Sequence, residues 1–276
     1  MKQRSTFIFT ALCFGFAFLY VPILSLIFFS FNASRLATVW GGFSTKWYPA
    51  LFQNDQIIAA ALLSLRIAMV TATFAVVLGA LAGIALVRLG RFKGRLLFTG
   101  MITAPLVMPE VITGLSLLLF FVTLQESIGW PASRGATTIT IAHITFSMAY
   151  VAVIVQSRLT GMDESLEEAA MDLGARPFRV LVDITLPVIA PALVSGWLLS
   201  FTLSLDDLVI ASFTSGPGAN TLPMLIFSKV RLGVTPDINA LATIIILVVA
   251  VGVVIAGVLM YKQEQQRLRD QQQAAT

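Results

Sequence analysis

Residues 57–87 read IIAAALLSLRIAMVTATFAVVLGALAGIALV, thirty-one positions with one formal charge, Arg66. A helix rises about 1.5 Å per residue, so roughly 20 apolar residues cross the ~30 Å hydrocarbon core of a bilayer. This stretch is long enough to span, with residues to spare. Working outward from it, five further stretches meet the same requirement, at about 6–31, 97–125, 137–157, 188–215 and 238–261. Six spans predict an all-α, polytopic membrane protein with both ends on one side, a single transmembrane domain over residues 1–276.

Bulk composition agrees. Of 276 residues, 57% are hydrophobic and only 12% charged, with a mean hydropathy of +0.89. Soluble domains carry about 25% charged residues. The net charge of +4 is modest, and its basic residues cluster between the apolar runs. That pattern suits membrane orientation and not nucleic-acid binding. Cys13 is the one cysteine and His143 the one histidine, which excludes an intrachain disulfide and any Cys- or His-cluster metal site. The first apolar run, which follows Lys2 and Arg4, is too long for a signal peptide and has no small-x-small cleavage site after it, so it reads as a retained span.

Orientation follows from the basic residues in the connections. With the N-terminus inside, Lys2, Arg4, Arg88, Arg91, Lys93, Arg95, Arg158, Arg176, Arg179, Lys262, Arg267 and Arg269 are cytoplasmic. Only Arg35, Lys46, Arg134, Lys229 and Arg231 are outside. Both termini are therefore expected in the cytoplasm. Segments 32–56 and 216–237 face outward and are rich in Trp, Gly and Pro. The piece Leu222-Pro223-Met224-Leu225-Ile226-Phe227 is too short to span and too apolar for water, so it reads as interfacial or re-entrant.

Segment 158–187 is the longest inward connection. Ser165 and Glu168 form an S-x-x-E pattern, predicting a capping box and a helix that starts at Ser165. Leu166, Ala169, Ala170 and Leu173 recur at helical spacing and make one small apolar face. Gly174 suits the left-handed residue that ends such a helix, and Pro177 the first turn of another. Leu186-Pro187 is expected to break the chain before the fifth span. Helix physics alone leaves open whether the helix packs on its own bundle or docks into a groove elsewhere.

The residues Glu168-Ala169-Ala170, Gly174, Ile184, Leu186 and Pro187, at their spacing and between two spans, resemble the EAA signature of binding-protein-dependent ABC importer permeases. No position of the motif departs from it. The resemblance covers almost the whole chain, and within the family it is strongest to the putrescine and spermidine permeases. Residues 104–115, 204–212 and 236–243 carry it, with Thr38-Val39-Trp40 and Trp47-Tyr48. The resemblance implies a MetI-like fold in the bacterial inner membrane. It also implies that residues 163–174 couple to a separate ATPase, with Ser165, Glu168, Ala169, Ala170, Gly174, Leu186 and Pro187 as the coupling residues. The implied partners are a second permease subunit, a distinct paralogue, two ATP-binding subunits holding ATP and Mg, and a periplasmic polyamine-binding protein. Another small cargo, such as iron or thiamine, stays open.

Ionisable residues inside a span cost at least about 2.5 kcal/mol and are functional candidates. Counting along the helices, Glu110, Asp206 and Asp207 fall toward the outer side of the midplane, and Arg66 reaches a similar depth. An excess of acid there suits an organic polycation, with Glu110 and one of the two aspartates lining its path. Pro105 and Pro109 bracket the approach to Glu110, so the third span is expected to break there. The competing reading pairs Arg66 with one acid as an internal lock. His143 reads as a hydrogen-bonded packing residue, Trp197 as packing, and Gly79, Ala80, Gly83 and Gly114 as points of close helix approach.

Other classes fit less well. Two adjacent aspartates on one helix cannot converge on a single scissile bond, which disfavours an intramembrane enzyme. No G-x-x-x-x-G-K-[ST] loop occurs, so ATP hydrolysis would have to come from a partner. A self-gating channel or proton-coupled carrier has no use for the coupling loop.

Overall fold

A computed structural model describes residues 6–36, 39–233 and 235–274; Lys2, Arg4 and Thr38, used above, lie outside the described residues. The described chain is helical, with one isolated antiparallel bridge between Asn32 and Phe43. Among the described residues, five helices are long and apolar enough to cross a membrane: Thr6–Ser30, Asp55–Arg88, Glu110–Ile128, Ala136–Thr160 and the continuous Pro177–Asp206. Two shorter apolar helical segments, Arg95–Val107 and Pro236–Gly252, complete the third and sixth expected stretches. The chain forms two compact units, Met1–Ile58 with Ile226–Thr276, and Ala59–Leu225.

In the first unit, α1 (Thr6–Ser30) and α2 (Trp47–Phe52) pack against α12 (Pro236–Ala274). Asn32 organises the connection between α1 and α2. Its buried amide donates to the carbonyls of Leu36 and Val39 and accepts from the backbone of Ser34 and Gly41. Its own carbonyl takes the indole N–H of Trp47 at 2.7 Å. Trp40 stacks on Phe28 with ring centroids 4.5 Å apart. Trp40 and Trp47 are thus tied into a folded loop.

The second unit holds most of α3 (Asp55–Arg88), then α4 (Arg95–Val107), α5 (Glu110–Ile128), α6 (Ala136–Thr160), α7 (Ser165–Asp172), α8 (Pro177–Val180), α9 (Leu186–Asp206) and α10 (Val209–Thr214). A π-helical turn, Leu181–Thr185, joins α8 to α9, and α11 (Leu222–Leu232) follows α10. Helix α6 is the most buried of the long helices and packs on α4, α9 and α10. Small residues set the spacing, as expected. A Cβ on Gly79 would lie 2.6 Å from Val151 Cβ, one on Gly83 3.0 Å from the Ala152 carbonyl, and one on Gly114 2.7 Å from the Phe213 ring. Ala75, Ala80, Val151, Val155, Leu159 and Ile189 fill the seam between α3, α6 and α9.

Three expectations need correction. The third span does break, but only at Met108-Pro109; Pro105 is carried inside α4. Met108 is extended, and Pro109, with φ already near the helical value and no N–H to satisfy, stands just before α5. The fifth stretch is not one helix to residue 215: it stops at Asp206, and Asp207 is extended before α10. Leu186-Pro187 does not break the chain. The π turn immediately upstream relieves the carbonyl that a proline ring would strike, so the helix continues through Pro187. The apolar piece from Leu222 forms the start of α11.

Candidate functional site

The connection between α6 and α9 is built around α7. This helix begins at Ser165, as expected, but Ser165 is its first residue and no capping box forms. The hydroxyl therefore sits one position too far along. Asp163 does the capping: its Oδ1 accepts the Ser165 N–H at 3.0 Å. That amide, and then the Ser165 hydroxyl, hold the exposed Asp163 carboxyl below its ordinary range. At the other end Gly174 takes φ +88°. The Gly174 N–H reaches the Met171 carbonyl at 2.9 Å and the Ala175 N–H the Ala170 carbonyl at 3.0 Å, the paired closure of a Schellman motif.

The expected apolar face turns away from the bundle. Leu166 is 50% exposed and Leu173 90%, with Ala169 exposed and Ala170 half-buried between them. Phe178 on α8 extends the patch at 76% exposure. Glu168 is exposed too. The inward side is polar, and Glu167 carries it: its Oε1 accepts the Thr185 hydroxyl at 2.6 Å and its Oε2 lies 2.9 Å from Arg88 Nε. Leu186 packs at the edge of the core seam, while Pro187 is exposed in the first turn of α9. Local sequence pattern could not have found Glu167, because its partners come from α3 and the π turn.

The intramembrane acids separate into two kinds. Glu110 is the exposed first residue of α5, directly after the Met108-Pro109 break. Asp206 is the exposed last residue of α9. Neither has an ion-pair partner among the described residues. Asp207 is committed elsewhere. Its Oδ2 accepts the Ala211 N–H at 2.7 Å and its Oδ1 the Ile210 N–H at 3.3 Å, which caps α10. His143 Nε2 lies 3.1 Å from the same Oδ2, and His143 Nδ1 is 2.7 Å from Ser204 Oγ. His143 is thus the hydrogen-bonded interior residue that was expected, with Asp207 as an unforeseen partner.

Arg66 makes no ion pair among the described residues. It borders a cavity of about 600 Å³ between α3 and α6, with Phe74, Thr137 and Thr140 on its walls. The internal lock between Arg66 and an acid is therefore not formed; the paired acid is Asp207, and its partner is His143. Trp197 packs, its indole N–H donating to Thr73 Oγ1 at 3.3 Å and its ring stacking on Phe201. No group of three metal-ligating side chains occurs among the described residues.

Membrane-length helices interrupted beside acidic residues, with one small helix presented outside the bundle, are the architecture of a membrane transport subunit, and sequence relatives supply its class. The chain belongs to the family of binding-protein-dependent transport system inner membrane components, which it matches over residues 75–269. It is 60% identical over 271 residues to the putrescine transport system permease protein PotI of Escherichia coli (strain K12), with 98% of this chain and 96% of that one covered. To the spermidine/putrescine transport system permease protein PotC of the same organism it is 44% identical over 249 residues, covering 90% and 91%. Two solved structures share the fold. A bacterial ABC transporter that imports alginate gives a TM-score of 0.73 at 18% identity, covering 94% of each chain. The MetNI methionine ABC transporter, in an inward-facing conformation, gives 0.61 at 16% identity, covering 76% of this chain and 94% of that one. The chain is therefore an inner-membrane ABC importer permease and not an enzyme, since ATP hydrolysis in this family belongs to a separate subunit.

Proposed function

We propose that this chain is one permease subunit of an importer that moves a polyamine, putrescine foremost, from periplasm to cytoplasm by alternating access. All 276 residues act as a single permease domain with both termini in the cytoplasm. A second, paralogous permease completes the path, two ATP-binding subunits supply ATP and Mg chemistry, and a periplasmic binding protein delivers the cargo. The identity to the putrescine permease supports the cargo. The observation that carries the mechanism is the outward-turned face of α7, where Leu166 and Leu173 are exposed while Glu167 faces the bundle. A short capped helix with its apolar side to water invites a groove on another subunit. Ser165, Ala169, Ala170 and Gly174 shape that helix, Glu168 offers it a carboxylate, and Leu186-Pro187 joins it to α9.

The cargo meets carboxylates at two helix ends. Glu110 and Asp206 line the path and attract the cation, and Asp207 holds the break beside them. The test is ATP-dependent uptake of radiolabelled putrescine into proteoliposomes holding the whole complex and its binding protein. Uptake is expected with putrescine and not with an iron or thiamine substrate; ATP-driven uptake of one of those alone would overturn the cargo. Leu173→Asp is expected to detach the ATPase subunits and abolish uptake, and an intact, active Leu173→Asp complex would overturn the coupling role.

A further inference from the structure

The coupling helix is held to its own bundle by very little. Its apolar side chains are mostly exposed, and the connections flanking it are short and contain Gly161 and Gly174. What fastens it is a set of polar contacts on the inner side. Arg88 Nη1 is 2.7 Å from Glu164 Oε1, Arg88 Nε is 2.9 Å from Glu167 Oε2, and the Thr185 hydroxyl donates to Glu167 Oε1 at 2.6 Å. These contacts are unequal. The Glu164 side chain is 70% exposed, so water and salt screen its pairing. Arg88 and Glu167 are 18% and 14% exposed, and Thr185 is buried at 3%. Glu167 is therefore the anchor.

The anchor's partners sit at load-carrying places. Arg88 is the last residue of α3, whose Ala75, Ala80 and Ile84 belong to the seam with α6 and α9. Thr185 ends the π turn and leads directly into α9, the helix that stops at Asp206. We propose that Arg88, Glu167 and Thr185 form the joint through which movement of α7 reaches α3 and α9 together. This rests on the coupling reading of α7 given above. Without the joint, α7 would pull on the bundle only through the chain segments that flank it.

Two observations favour a joint that moves over a static brace. Arg88 Nε and Nη2 are both buried without a well-aligned hydrogen-bond acceptor among the described residues, Nε meeting Glu167 as an ion pair only, so a second position of α7 has donors waiting for it. Beside the joint lies a cavity of about 360 Å³ with Ile84, Met171, Val180 and Leu181 on its walls, which gives α7 and the π turn room to shift. Rearrangement between discrete packings is how small displacements are passed along packed helices.

The test measures ATP hydrolysis and putrescine uptake on the same proteoliposomes containing the complete complex. Arg88→Gln and Glu167→Gln are expected to keep the ATPase subunits bound and hydrolysing while putrescine moved per ATP falls about tenfold. Thr185→Val, which removes one hydrogen bond and no charge, is expected to show a smaller loss. Exchanging the charges in Arg88→Glu with Glu167→Arg is expected to recover part of the ratio. An unchanged ratio in the single variants overturns the joint. So does loss of ATPase subunits from all three single variants, since that would make the contacts merely structural. Leu173→Asp separates the two ideas. If it detaches the ATPase subunits while the joint variants transport normally, the joint fails and the coupling role stands. If it changes neither binding nor uptake, the coupling role itself has failed.

Discussion

His143 Nε2 and Asp207 Oδ2 lie 3.1 Å apart across sixty-four positions of sequence, and the other ring nitrogen of His143 meets Ser204 Oγ at 2.7 Å. One residue of α6 thereby holds the interruption in the fifth stretch at two points: Ser204 before it and Asp207 within it. With the proton on Nε2, the imidazole donates to the carboxylate and accepts from the serine hydroxyl, which satisfies all three groups. The interruption between α9 and α10 is a built feature.

Removing Asp207 should therefore cost stability. Asp207→Ala leaves the Ile210 and Ala211 amides and the His143 ring without their acceptor in a buried place. A buried polar group left unsatisfied costs about 1–3 kcal/mol. Asp206→Ala removes an exposed carboxylate and should leave the unfolding temperature unchanged. Thermal unfolding of the two variants in detergent decides it. Equal transition temperatures would mean that the Asp207 contacts carry no weight.

The two unpaired acids should behave in the opposite way. Glu110→Gln and Asp206→Asn are nearly isosteric and remove charge from exposed helix ends. Each is expected to unfold normally and to lower putrescine uptake at limiting substrate about tenfold, the equivalent of roughly 1.4 kcal/mol. Uptake as fast as the parent in both variants removes the carboxylates from the path.

The helical content was legible because lipid imposes it: a run such as 57–87 has no other way to satisfy its backbone. The break before Glu110 was legible as well, since Pro109 marks it. The break at Asp207 was not, because Ser204-Leu205-Asp206-Asp207-Leu208 contains neither Gly nor Pro. It is made by a carboxylate that captures the amides of residues three and four ahead, and by a histidine from another helix. The end of α7 could be read from Gly174, whose positive φ is a local requirement. Its start was legible too, but its cap was not, since Asp163 and Ser165 are both good caps and sequence does not rank them. Glu167 stayed hidden beside Glu168 for a related reason. Only the fold shows which of two neighbouring glutamates faces Arg88.

The capping role of Asp163 carries a pH signature. Its carboxyl titrates below the ordinary 3.8 because the Ser165 N–H favours the charged form. A depressed folded value contributes stability that is present above the unfolded value and disappears as pH falls through the folded one. Hydrogen exchange at the α7 amides, corrected for intrinsic rates, should thus show constant protection at neutral pH and a loss only below about pH 4. Asp163→Ala should abolish that dependence and fray the first turn at every pH. Asp163→Asn should abolish the dependence but keep the cap. A parent-like acid transition in either variant assigns it to another group.

Gly79 gives the most direct check on the packing of α3 against α6. A methyl group there would sit 2.6 Å from Val151 Cβ and 2.7 Å from the Met148 carbonyl oxygen. Neither atom can turn aside, since a Cβ is fixed by its own backbone and the carbonyl belongs to α6, so relief requires the two helices to separate. Gly79→Ala should then cost about 1–3 kcal/mol, the usual range for overpacking. Gly100 in α4 is the matched control, with nothing within 4 Å of its would-be Cβ. Gly100→Ala should be neutral or stabilise by about 0.5–1 kcal/mol, because alanine surrenders less backbone freedom on folding. Thermal unfolding of the pair should therefore move in opposite directions or leave Gly100→Ala unmoved. If both fall together, a general sensitivity to α-helical substitution explains them, and the close approach at Gly79 is not what sets the spacing.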